Sequence, residues 1–125
     1  MGSRKINLIL SVVLLMLCSV ATSQTVPVGV HYQAVARDNY GKELSNREID
    51  VRFSILYGNP LGTVVYQEIH QNKRTSYYGV FSLVIGSGIQ TSGTKSSLGE
   101  VAWETGNHYI KVEVKFDNDY MDMGT

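Results

Sequence analysis

The chain has 125 residues, 43% of them hydrophobic and 18% charged, with basic and acidic side chains in equal number and no formal net charge. That is enough for one compact domain and too little for a two-domain enzyme. Without a basic field there is nothing to attract nucleic acid or an acidic lipid surface, so nucleic acid is not an expected partner.

Met1 to Lys5 is short and basic, Ile6 to Val20 is almost continuously apolar, and Ala21, Thr22 and Ser23 place small residues just before Gln24. This is the three-part layout of a secretory signal peptide, expected as a separate N-terminal helix over residues 1–23 that is removed on export. A membrane span needs about 20 apolar residues, and this run is shorter and interrupted by Asn7, Ser11 and Ser19. Cys18 follows Leu17 and lies inside the apolar run, which argues against a lipidated cysteine. Residues 24–125 then contain no thiol, hence no disulfide, thiol nucleophile or thiolate metal site. The expected product is secreted, extracellular or on the outer cell surface. Its length of about 100 residues holds one core, and losing Arg4 and Lys5 leaves it slightly acidic.

Beyond Gln24 the apolar residues recur with period two, which predicts strands and an all-β domain. Val30, Tyr32, Ala34 and Ala36 alternate with His31, Gln33, Val35 and Arg37, and Asp38-Asn39-Tyr40-Gly41 supplies a turn. In the next strand Ile49, Val51, Phe53, Ile55 and Tyr57 share one face and Asp50, Arg52 and Ser54 the other. Gly58 to Gly62, with Pro60 inside, breaks that strand, and Thr63 to Ile69 reads as its hairpin partner. Val80 to Ile85 is apolar on both faces except at Ser82, which predicts a central strand covered on both faces or one crossing the core. Ile89 to Glu100 reads as a loop with a short helical turn near Ser97 to Val101. His108, Ile110, Val112, Val114 and Phe116 alternate with Tyr109, Lys111, Glu113 and Lys115 in a half-buried strand, and a last extended piece runs from Tyr120 to Met123. Six to seven short strands favour an immunoglobulin-like two-sheet sandwich. The expected core is Val51, Phe53, Ile55, Phe81, Leu83, Ile110, Val112 and Val114.

Three stretches together carry a resemblance: His31-Tyr32-Gln33-Ala34-Val35-Ala36-Arg37-Asp38, then Gly79-Val80-Phe81-Ser82-Leu83-Val84-Ile85-Gly86, then Tyr109-Ile110-Lys111-Val112-Glu113-Val114 with Met123-Gly124-Thr125. They resemble the N-terminal domain of secreted, modular surface proteins of Gram-negative bacteria that use type IX secretion. The resemblance implies that further modules follow in the same polypeptide. It also implies that the Met123-Gly124-Thr125 segment leads into a last strand, so that residues 24–125 are expected to be a truncated head. It brings no catalytic residues.

The residues themselves offer little chemistry. His31, His70 and His108 fall on different segments with no ligand spacing, and no thiolate accompanies them. Asp117, Asp119 and Asp122 are weak calcium candidates, because the glycine and the closing glutamate of a calcium loop are missing. Gly93-Thr94-Lys95-Ser96 near Gly88 falls short of a phosphate loop. Glu100 and Glu104 flank Trp103, but a domain this small lacks a cleft to hold a sugar between two carboxylates.

The aromatic residues are the most informative. Tyr77 and Tyr78 precede Gly79 at an expected loop tip, and Trp103 lies beside another turn, so all three are candidate binding residues for a carbohydrate. The competing structural reading makes Trp103 a core plug and the tyrosines strand-entrance packing. The expectation is a non-catalytic structural or adhesive module without cofactor. Its partners are the downstream modules, and a surface glycan or another protein reached by strand addition. The alternative is a carbohydrate-binding module of an extracellular enzyme.

Overall fold

The two best alternating segments of the sequence become neighbours at the centre of the larger sheet. The computed structural model describes residues 29–125, with Arg4 and Lys5; the rest of the expected signal peptide lies outside the described residues. Seven strands follow in order: β1 (Val30–Val35), β2 (Glu48–Tyr57), β3 (Thr63–Arg74), β4 (Val80–Ile85), β5 (Ile89–Ser92), β6 (His108–Lys115) and β7 (Tyr120–Gly124). Among the described residues one 3₁₀ turn, Leu98–Glu100, sits at the expected helical turn. The strands form two antiparallel sheets, a two-stranded β1-β4 sheet and a five-stranded sheet ordered β5-β3-β2-β6-β7. The expected all-β, two-sheet arrangement is the fold.

Period two explains the packing. On β2, Ile49, Val51, Phe53 and Ile55 point inward, and on β6 Val112 and Val114 do. In the small sheet Phe81, Leu83 and Ile85 face them, with Tyr32 and Ala34 of β1 packed alongside. The Tyr32 ring meets Phe53 edge-on at 5.0 Å and Phe81 at 6.1 Å, so one side chain of the small sheet touches the centre of both layers. The opposite face of β2 and β6 is polar, where Arg52 grips Glu113 through two bonds of 2.7 and 2.9 Å and lies 3.9 Å from the centre of the Tyr120 ring.

Four expectations are corrected. Ile110 has the inward parity of Val112 but is 41% exposed, because it lies toward the end of β6 away from the Val112–Val114 core. Tyr57, at the end of β2, is likewise exposed. β4 is not central: it pairs with β1 alone, so Val80 and Val84 lie on an outward face and are half-buried there. Ile89–Ser92 is a strand, paired with Gln67–Ile69 of β3, although its four side chains are exposed and give no burial signal.

Candidate functional site

Tyr77 and Tyr78 occupy the turn that joins β3 to β4. Gly79 closes it with an N–H to the Ser76 carbonyl at 3.0 Å, and its φ of +78° is a conformation that a side chain disfavours. Ser76 Oγ accepts the amides of Tyr78 and Val80, each at 3.2 Å. The turn is also tied to the β1–β2 connection: Ala36 N donates to Gly79 O at 2.9 Å and Asn46 N to Ser76 O at 3.0 Å. Below it, buried Thr75 receives the Arg47 amide and donates its hydroxyl to the Leu44 carbonyl. The backbone is therefore fixed while the rings are bare. Tyr77 is 70% and Tyr78 73% exposed, and they meet edge to face at 5.3 Å.

Beside the tyrosines runs a groove of about 610 Å³, with the half-buried Val35 and Val80 among its lining. Arg37, Lys42 and Glu43 line it as well. Arg37 Nη1 bonds Glu43 Oε1 at 2.8 Å and the Gly41 carbonyl at 2.9 Å. The backbone amide at Glu43, followed by the Arg37 guanidinium, holds the Glu43 carboxyl below its usual range, so Glu43 stays ionised at neutral pH.

Trp103 is not the core plug of the structural reading. It is 46% exposed, 5.1 Å from the His108 ring, which in turn lies 5.4 Å from Tyr57. Tyr57 and His108 are paired at the end of β2 opposite to Glu48, whereas the tyrosine turn follows the Glu48↔Arg74 end. The two aromatic clusters thus stand about 30 Å apart along a ten-residue strand, and the structure does not combine the three candidate binding residues into one site.

The calcium candidates fare differently. Asp117 and Asp119 lie exposed in the β6–β7 turn, while Asp122 sits on β7 and accepts the Gly124 amide at 2.8 Å. Among the described residues no three acidic or histidine side chains converge on a metal position. The three histidines are likewise apart: His31 exposed on β1, His108 among the aromatics and His70 buried on β3.

His70 belongs to a cluster that sequence reading missed. Glu68, 0% exposed, points inward from β3 and takes the Tyr66 hydroxyl at 2.6 Å, His70 Nε2 at 2.7 Å and the Gly86 amide at 2.8 and 3.0 Å. Burial and this carboxylate push the Tyr66 phenol well above its usual range, so it stays a donor. Because Gly86 follows β4, these bonds fasten the small sheet to the large one. A buried carboxylate with every contact inside the fold is built for holding sheets together.

A two-layer antiparallel sandwich, pinned through one buried carboxylate and carrying bare aromatic side chains on fixed turns, defines the class of protein. The chain belongs to the family described as a domain of unknown function (DUF8740), which matches residues 31–124. No curated protein and no solved structure matches it.

Proposed function

We propose that the chain is a non-catalytic structural and adhesive module of a secreted or cell-surface protein, as the resemblance to the heads of type IX-secreted surface proteins implies. The supporting observation is the tyrosine turn: two bare rings on a backbone held by hydrogen bonds on both sides. Exposed apolar side chains give the folded chain nothing in return for their exposure, and a preorganised backbone lowers the entropy cost of engaging a partner. Downstream modules of the same polypeptide, and a surface glycan or a protein adding a strand, are the proposed partners. For strand addition the edge of β6 at His108–Lys111 is suited, since β7 pairs only with Val112–Lys115.

The second reading, a carbohydrate-binding module of an extracellular enzyme, draws on the half-exposed Trp103. Beads coated with the intact chain should retain cell-surface material, and Tyr77→Ala with Tyr78→Ala should abolish retention while Trp103→Ala leaves it. Retention that depends on Trp103 and ignores the tyrosines favours the second reading. Retention indifferent to all three overturns both.

A further inference from the structure

We infer that the tyrosine groove is a subsite for a carbohydrate bearing a carboxylate, that is, for an acidic sugar residue. This rests on the adhesive reading and names the ligand class of the same site. The ring geometry comes first. Tyr77 and Tyr78 stand at 88° to each other, so a sugar ring laid with its C–H face on one finds the other as a side wall.

The polar atoms beside the rings suit hydroxyls. Arg37 and Glu43, joined at 2.8 Å, set guanidinium donors next to carboxylate acceptors. Each sugar hydroxyl both donates and accepts, and a mixed pair satisfies both roles where a lone charge satisfies one.

Charge selects the acid. Arg37 is balanced by Glu43, but Lys42 on the same wall forms no ion pair among the described residues, and the groove carries one surplus cation. A sugar carboxylate complements it. A neutral glycan leaves Lys42 idle, and a proline-rich peptide, which aromatic grooves also accept, leaves the Arg37–Glu43 pair idle.

Calorimetric titration of the intact chain with oligogalacturonate, its methyl ester and a proline-rich peptide tests this. Saturable binding should appear with the acid, weaker binding with the ester and none with the peptide. Tyr77→Ala and Tyr78→Ala should each lower affinity about tenfold, equivalent to about 1.4 kcal/mol. Lys42→Gln should reduce binding of the acid to the level of the ester without changing the ester. All three positions are exposed, so unchanged melting temperatures separate a lost contact from a lost fold. No saturable binding, equal affinity for acid and ester, or binding of the peptide alone overturns the assignment. If the tyrosine variants lose surface retention while the chain ignores oligogalacturonate, only the ligand class fails. If they keep retention, the adhesive reading fails.

Discussion

At the scale of single residues, Glu68 has the largest structural role for its size. It is the common acceptor for Tyr66, His70 and Gly86, and no buried side-chain polar atom among the described residues lacks a partner. Glu68→Leu leaves the buried Tyr66 hydroxyl and the buried His70 ring nitrogen without their partner, at about 1–3 kcal/mol each. Urea denaturation should show the loss as a lower midpoint, and an unchanged midpoint would mean that water replaces the carboxylate. The Arg52–Glu113 pair gives a pH signature instead. Its hydrogen bond to Arg52 first, then the guanidinium charge, holds the Glu113 carboxyl below the usual range, so the folded chain binds that proton less readily than the unfolded chain. The contribution is therefore complete above about pH 5 and is lost as pH falls through the depressed folded value. Glu113→Gln should flatten this part of the acid limb in a plot of melting temperature against pH. An acid limb of unchanged slope would show that Glu113 carries no linkage.

Legibility is uneven at the scale of elements, and the reasons are physical. β2 and β6 are plain in the sequence because one face is core and the other polar, so hydrophobic alternation and burial coincide. On β3 they part: Glu68 and His70 point inward while Ile69 is only half-buried, so the inward face reads as polar. Its acceptability depends on Gly86, eighteen positions downstream, and nothing local announces that bond. β5 is invisible for another reason, since its hold is backbone pairing rather than burial. The candidate site was half legible. The exposed turn position of Tyr77 and Tyr78 is readable from the glycine that follows them, but the Arg37–Glu43 wall arises only when the β1–β2 connection folds back on itself. β5 should also be the easiest element to detach. A Cβ at Gly93 would lie 2.6 Å from the Val65 carbonyl, at a φ of +102°, so Gly93→Ala must push the segment after β5 off β3. Hydrogen exchange should quicken in Ile89–Ser92 while β2 and β6 stay protected, and uniform loss of protection would mean that β5 is integral to the core.

For the whole molecule the question is whether a two-stranded sheet lives or dies with its five-stranded partner. Two strands alone are marginal in water, so β1 and β4 depend on what they bury and on the bonds from Glu68 to Gly86. What they bury is shared: Phe81, Leu83 and Ile85 lie in one cluster with Val51, Phe53 and Val112, and Tyr32 touches Phe53 and Phe81 together. Removing a ring from either layer opens a cavity against both. Phe53→Ala or Phe81→Ala should each cost about 3–5 kcal/mol, against a total of about 5–15 kcal/mol for domains of this kind. The double substitution should cost less than the sum, because the two rings share Tyr32 as a neighbour. The same sharing predicts a single cooperative transition. Trp103 lies outside the cluster, half-exposed beside His108, so its fluorescence follows the loops while circular dichroism follows the sheets. The two probes should give coincident urea curves for the parent chain and for Phe81→Ala alike. An early circular-dichroism phase with unchanged fluorescence would show the small sheet peeling away first, and the sandwich would then be two units rather than one.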